Sequence, residues 1–182
     1  MLRRRHELAS SLLPLRCHRL LELGYGSGFM MPELARHCDE LHGLDLHDKE
    51  RDVAAALLRA GVSAQLRSGT VTAMPYDDQF FDCVVAESLL AHVEALDLAC
   101  NEVGRVLRPG GVFIAVVPTH ARLVDAALKM LTGASAKKDF ADRRAVTPAL
   151  LRHFEVDARH SFPRRGPRVL RLYTAFGLRP RG

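Results

Sequence analysis

Apolar residues along this chain fall into short continuous runs that alternate with stretches where they recur every three or four positions. His18 to Leu23 is such a run and predicts a buried strand leading into Gly24, Gly26 and Gly28. Phe29 to Cys38 predicts a helix, with Met30, Leu34 and Cys38 on one face. Glu40 to Leu46 predicts a second strand, and Asp48 to Ala60, stopped by Gly61, a second helix. Val62 to Arg67 alternates as a third strand and Phe81 to Ala86 is a compact apolar fourth. Val93 to Leu107 places Val93, Leu96, Cys100, Val103 and Leu107 on one side of a helix that stops at Arg108-Pro109-Gly110-Gly111, and Val112 to Val117 is a fifth strand. Ala121 to Leu131 then reads as a helix, Gly133 to Arg144 as a polar loop or cover, and Thr147-Pro148 as a helix start with Thr as N-cap. Phe154 to Ser161 and Val169 to Leu178 predict two last strands joined by a Pro- and Gly-containing turn. With no helix between them, they pair antiparallel at one end of the sheet.

Strand–helix alternation calls for an α/β fold, a parallel sheet covered by helices on both faces. Continuously apolar strands fit it, because they are buried on both sides. The 182 residues suffice for one domain, spanning 1–182. With 48% hydrophobic and 26% charged residues, the composition excludes wholesale disorder. Lys and Arg number 26 against 21 acids, a formal charge of +5 that favours encounter with anions without naming one. Cys17, Cys38, Cys83 and Cys100 form no C-x-x-C pair and lack zinc-finger spacing to histidine, so no metal site is expected and a reducing, cytoplasmic setting is. No apolar stretch approaches the about 20 residues of a membrane helix. The Arg3-Arg4-Arg5 start is followed by a segment broken at Ser10, Ser11 and Pro14, which does not read as a signal peptide.

The sharpest local feature is Glu22-Leu23-Gly24-Tyr25-Gly26-Ser27-Gly28. Alternate glycines after a strand permit a tight turn and close approach of main chain to a ligand. The turn is expected to open onto a helix N-terminus, which favours anions. The second strand ends at Asp45, an acid placed to accept hydrogen bonds from both hydroxyls of a ribose. Together they describe a nucleoside ligand at the carboxyl ends of the strands. A nicotinamide-dependent oxidoreductase would use G-x-G-x-x-G, and Phe29 stands where its third glycine belongs.

These residues carry a resemblance. Glu22 to Gly28 resembles the first motif of class I S-adenosylmethionine-dependent methyltransferases, and His42-Gly43-Leu44-Asp45 their second. Gly69 to Tyr76, Gln79 to Ala86, Ser88 to Val93 and Val106 to Val112 continue the likeness in order, nearest the type 11 subgroup. The resemblance implies a Rossmann-like three-layer sandwich with a mostly parallel seven-stranded sheet and an antiparallel last strand. It implies S-adenosylmethionine as cofactor and S-adenosylhomocysteine as product. Glu22 and the main chain of Gly24, Tyr25, Gly26 and Gly28 would hold the methionine portion. Asp45 would take the ribose, Leu46 would pack on the adenine, Thr70 and Val71 would meet the adenine edge, and Glu87 would lie near the sulfonium. The family commonly has an acid at Thr70; a threonine accepts a hydrogen bond without charge. Residues 1–17 are expected as an N-terminal helix and 119–146 as a substrate-covering insertion.

A methyl transfer needs an in-line nucleophile and a general base only when the acceptor must lose a proton. His92 and His120, following the fourth and fifth strands, are the candidate bases; the competing role for each is that of a plain helix-start or loop histidine. The arginines at 3–5, 143–144 and 164–165 could meet phosphate or simply be solvated. With 3 Tyr and 8 Phe, the aromatic interleaving of a nucleic-acid surface is not expected. The expected activity is methylation of a small molecule or of a lipid- or glycan-linked precursor, the alternative being a non-catalytic cofactor-binding subunit of another methyltransferase.

Overall fold

The computed structural model describes residues 2–118, 143–163 and 172–181. Seven strands form one sheet: β1 (Cys17–Leu23), β2 (Cys38–Asp45), β3 (Gln65–Ser68), β4 (Phe81–Glu87), β5 (Leu107–Pro118), β6 (Phe154–Phe162) and β7 (Tyr173–Pro180). Their order is β3-β2-β1-β4-β5-β7-β6. β3, β2, β1, β4 and β5 run parallel, and β7 lies antiparallel between β5 and β6. The expected mostly parallel sheet with an antiparallel last strand is therefore present.

The alternation of side chains along each strand feeds two cores. On one face Leu21, Leu23, Val84, Phe113 and Ala115 pack against Ala99 and Val103 of α4 (Leu96–Val106) and Ala149 and Leu150 of α5 (Arg143–His153). On the other face Leu20, Cys83, Val85, Ile114 and Val116 pack against Leu8 and Ala9 of α1 (Leu2–Ser10), Met31 and Leu34 of α2 (Met31–Leu34) and Leu57 of α3 (Glu50–Arg59). Each fully buried leucine or phenylalanine contributes about 1.5–3 kcal/mol of transfer free energy. The edges are polar: Gln65, Arg67 and Ser68 on β3, and Glu155, Asp157 and Arg159 on β6. Such edges resist pairing with a second chain.

Several expected boundaries shift; the N-terminal helix expected over 1–17 ends at Ser10, because Cys17 pairs in β1, and the third strand begins at Gln65 rather than Val62. The helix expected over 29–38 is the four-residue α2 followed by a 3-10 turn at Ala35–His37. Cys38 is drawn into β2 opposite Cys17, and His37 Nδ1 donates to the Pro14 carbonyl at 2.9 Å, which ends the helix early. The glycine turn thus does not lead into a helix long enough to present a sizeable dipole. Arg108 to Gly111 does not simply terminate a helix. β5 already pairs at Leu107 with Phe81, and the register then shifts before Val112 meets Cys83. Asp82 anchors this irregularity by accepting from Arg19 N at 2.6 Å and pairing with Arg108. Thr147 and Pro148 lie inside α5 rather than at its start. Burial of Val146, Ala149 and Leu150 against α4 outweighs the local cap signal. The helix expected over 121–131 and most of the cover expected over 133–144 fall outside the described residues; the end of the expected 119–146 insertion is instead the first turn of α5, with Val146 buried against the sheet. No helix among the described residues is long and apolar enough to cross a membrane.

Candidate cofactor cleft

Strand order reverses between β1 and β4, so the crevice at the carboxyl ends of these strands is where an open α/β sheet receives a ligand. The glycine turn forms its floor. Gly24, Gly26 and Gly28 have φ of 75°, 52° and 74°, the left-handed region that L side chains rarely adopt. The turn is pinned at both ends, Gly24 N donating to Leu44 O at 2.8 Å and Gly28 N to Tyr25 O at 2.7 Å. A Cβ on Gly26 would meet nothing within 4 Å, so this glycine faces open space.

Asp45 ends β2 and reaches back to the same turn. Its Oδ2 accepts from Gly26 N at 2.8 Å and its Oδ1 from Leu46 N at 2.7 Å. Oδ1 also accepts from His47 N at 3.4 Å, and Oδ2 keeps a second lone pair for an outside donor. His47 completes the clasp: its Nε2 donates to Gly26 O at 2.8 Å, while Nδ1 accepts from Lys49 N at 3.2 Å. The two partners fix one neutral tautomer. No local sequence signal marks His47 beyond its place two residues after Asp45. Tyr25 is bulky for this turn, but its ring is buried and packs edge-on against His47 at 4.9 Å, so only its main chain remains at the turn surface. Burial, then Asp45 and Glu50, push its phenol up to about 12.

Beyond the turn lies a cleft of about 300 Å³ whose lining includes Gly24, Asp45, Leu46, Thr70, Val71 and His92. Leu46 is 76% exposed there, an apolar surface available to a flat ring. Thr70 Oγ1 sits 2.9 Å from Thr72 Oγ1 and accepts from Thr72 N at 3.3 Å, so its hydroxyl is engaged within its own loop. His92 ends the 3-10 turn Leu89–His92 and is exposed at the cleft. His120 lies outside the described residues.

At the β1–β4 end of the crevice stand two carboxyls on one face of the sheet. Glu22 is only 4% exposed and its Oε2 has no hydrogen-bond partner. Burial, then Glu87 and Asp45, raise its pKa well above the carboxylate range. Glu87 is raised too, chiefly by burial, with His6 and Arg5 opposing. Arg5 Nε lies 3.2 Å from Glu87 Oε1 and His6 Nδ1 2.7 Å from Oε2, close charge contacts rather than well-aligned hydrogen bonds. Arg5 also donates to Ser88 Oγ at 3.1 Å, and Ser88 holds φ 62°, a left-handed strain of roughly 1–2 kcal/mol. Each buried polar atom without a partner costs about 1–3 kcal/mol. The arginines at 3–5, expected to meet phosphate or solvent, include Arg5, which with His6 joins this cluster instead. The contact joins residues 83 apart in the chain, and nothing local could have shown it.

Sites Glu22, Gly24, Gly26, Asp45, Leu46, Thr70, Val71 and Glu87 thus gather around the carboxyl ends of β1, β2, β3 and β4. A family described as a methyltransferase domain matches residues 21–115. A ubiquinone biosynthesis O-methyltransferase from Azorhizobium caulinodans is 32% identical over 127 residues, covering 69% of this chain and 49% of that protein. The chain therefore spans about half the length of that relative. Among solved structures, a Pyrococcus horikoshii protein superposes with a TM-score of 0.80 at 20% identity, over 99% of this chain and 91% of its own. An N-methyltransferase from Bradyrhizobium japonicum, solved with S-adenosylhomocysteine, gives 0.72 at 19% identity, over 98% and 87%. Those structural likenesses speak for the fold, and the match over 21–115 speaks for descent: the chain belongs to the class I S-adenosylmethionine-dependent methyltransferase domains.

Proposed function

We propose that this chain transfers a methyl group from S-adenosylmethionine to a small molecule or a lipid- or glycan-linked precursor. The observation that carries the reading is Asp45, clasped to Gly26 N yet retaining lone pairs toward the cleft. An acid so held can accept both hydroxyls of a ribose while Leu46 covers the base. The residues present suit such a nucleoside: main-chain donors at the glycine turn, an exposed apolar side chain, and a buried carboxyl at Glu22 whose Oε2 lacks a partner. When bound, the sulfonium supplies an activated methyl carbon.

In this reading Glu22 and the main chain of Gly24 to Gly28 hold the methionine end, and Thr70 and Val71 border the adenine. Glu87 offers negative potential near the sulfonium, an electrostatic contribution that costs no reorganisation because the carboxyl is already fixed by α1. His92, exposed at the cleft, is the group placed to take a proton from an acceptor hydroxyl. The residues between the fifth strand and α5 are proposed to shape the acceptor pocket. The relative from Azorhizobium caulinodans bears the name of an O-methyltransferase of ubiquinone biosynthesis, which supports a small or lipid-like acceptor. Four free thiols support a cytoplasmic setting.

Titration calorimetry with S-adenosylhomocysteine and, separately, NAD tests the reading. Binding of the first and not the second is expected. Gly26→Arg should abolish it, because the new side chain fills the open space at the turn beside Asp45 while the left-handed position adds roughly 1–2 kcal/mol of strain, too little to unfold a stable domain. Binding of NAD alone would overturn the proposal.

A further inference from the structure

A second concave region lies at the end of the sheet opposite the cofactor cleft. Where β4 and β5 begin and β7 ends, a cavity of about 510 Å³ is lined by Arg108, Arg179 and Arg181, with Leu107 and Pro109 as its apolar wall. A cavity of about 340 Å³ adjoins it, sharing Gly104, Pro180 and Arg181 and adding Arg152. Among the described residues, Asp78 is the one acid in either lining. The acids that fix these arginines stand outside it. Arg108 pairs with Asp82, which is 7% exposed while Arg108 is 56% exposed. Arg179 donates from Nε to Asp157 at 3.1 Å and from Nη1 to Gly110 O at 2.9 Å. Arg181 donates from Nη2 to Leu151 O at 3.1 Å and pairs with no carboxylate among the described residues. A guanidinium has five donors, so each of the three keeps some for an outside acceptor. Arg105 differs: its five are spent on Glu102, Asp78, Tyr76 and Met74, which makes it a wall and not a receptor.

Gly104 marks the same groove independently. It lies inside α4, where glycine weakens a helix relative to alanine. A Cβ there would meet nothing within 4 Å, so packing within the domain does not require the glycine. A longer side chain would instead enter the space that the two cavities share. Three guanidiniums with open donors around one cavity of small-molecule size call for an anion with several charges and several acceptor oxygens. We propose that this groove binds a pyrophosphoryl group, carried by a free nucleotide or by a lipid tail. Its two linked phosphates match a groove whose cations continue from Arg108 and Arg179 through Arg181 to Arg152, whose Nη1 is unengaged among the described residues. An acidic peptide is disfavoured, because the neighbouring sheet edge, β6, carries Glu155 and Asp157 and offers an added strand like charges. The site stands apart from the cofactor cleft and does not depend on what that cleft binds.

The test is calorimetry on the full chain at constant ionic strength, with inorganic pyrophosphate as the probe. Pyrophosphate should bind about 10-fold or more tightly than orthophosphate, because it engages more of the guanidiniums. Arg179→Gln and Arg181→Gln should each weaken it about 10-fold, with thermal melts reporting that both variants are folded. Gly104→Gln should raise the melting temperature by about 2 °C, since glutamine is the better helix former, and yet weaken pyrophosphate about 10-fold by filling the groove. A merely structural role for these residues would not separate the two readouts. S-adenosylhomocysteine should leave the pyrophosphate isotherm unchanged. ADP and geranyl diphosphate then distinguish the carriers: the one that binds more tightly than pyrophosphate itself names the source. No binding of pyrophosphate, equal affinity for orthophosphate, or binding that both arginine variants leave intact would overturn the proposal. So would displacement by S-adenosylhomocysteine, which would put the anion in the cofactor cleft, or tighter binding of a hexaglutamate peptide, which would make the groove a protein-docking face.

Discussion

The carboxylate of Asp45 accepts the main-chain N–H of Gly26 at 2.8 Å, across a turn whose glycines all lie in left-handed backbone. One acid therefore does two things: it holds the turn in shape and presents its remaining lone pairs to the cleft. Asp45→Ala should remove two charge-assisted hydrogen bonds to a ribose, about 3 kcal/mol, and weaken S-adenosylhomocysteine roughly 100-fold by calorimetry. A loss under threefold would show that the ribose lies elsewhere.

Both members of that pair were visible in the sequence, and for a physical reason. Gly24, Gly26 and Gly28 sit at alternate positions because the turn demands positive φ, and Asp45 ends a strand whose apolar run fixes its length. Continuous apolar runs likewise located β1, β2 and β4 to within two residues. What the pattern could not carry was decided by contacts distant in sequence. The helix expected to reach Cys38 yields to β1–β2 pairing at Cys17, and the cap signal at Thr147-Pro148 yields to packing of α5 on α4. His47 and the pair Arg5 and His6 enter the site only through folded geometry.

Glu22 gives a stability test separable from binding. Burial, then Glu87 and Asp45, raise its folded pKa, so the folded chain keeps a proton that the unfolded chain releases above about pH 4.3. The associated stability is present below that pH and is lost as pH rises toward the folded value. Glu22→Gln removes the penalty. Without ligand, its melting temperature should exceed that of the unaltered protein near about pH 8 and converge with it near about pH 4. The same variant should bind the cofactor less tightly. Parallel melting profiles for the two proteins at both pH values would contradict the placement of a buried ionisable carboxyl here.

Arg105 on α4 does the work of a loop anchor. It donates to the carbonyls of Tyr76 and Met74 at 2.8 and 3.1 Å and to Asp78 at 2.8 Å, and its Nε meets Glu102 at 2.7 Å, while Glu102 accepts Met74 N at 2.7 Å. This network fastens the 74–78 segment that leads into β4, and Glu102 and Asp78 hold the guanidinium firmly charged. Arg105→Met leaves several acceptors unmet and should cost about 2 kcal/mol, roughly 4–8 °C in Tm for a chain of this size. A shift under about 1 °C in a thermal melt would place the loop's stability elsewhere.

His42 supplies the acid limit of the fold. Its ring is buried in β2 among Tyr76, Phe80 and Phe81, with centroids 6.1, 5.6 and 5.2 Å away, and neither ring nitrogen has a hydrogen-bond partner. Burial lowers its pKa, Arg67 and Arg19 add to the lowering, and Glu40, 3.6 Å from Nε2, opposes it. The folded chain keeps the ring neutral where the unfolded chain takes up a proton, below about pH 6.5. Stability from this group is therefore complete above that pH and declines as pH falls, approaching about 1.4 kcal/mol per pH unit for one proton. His42→Leu removes the titrating ring and keeps the site apolar. The difference in unfolding free energy between the two proteins, from urea titrations, should be constant above about pH 7.5 and should move steadily in favour of the variant as pH falls below about 6.5. A difference that stays flat across that range would mean that the ring is charged in the folded state or reaches water. Because Glu22 and the carboxyls that do not touch His42 titrate alike in both proteins, subtracting one curve from the other isolates the contribution of this imidazole together with its coupling to Glu40.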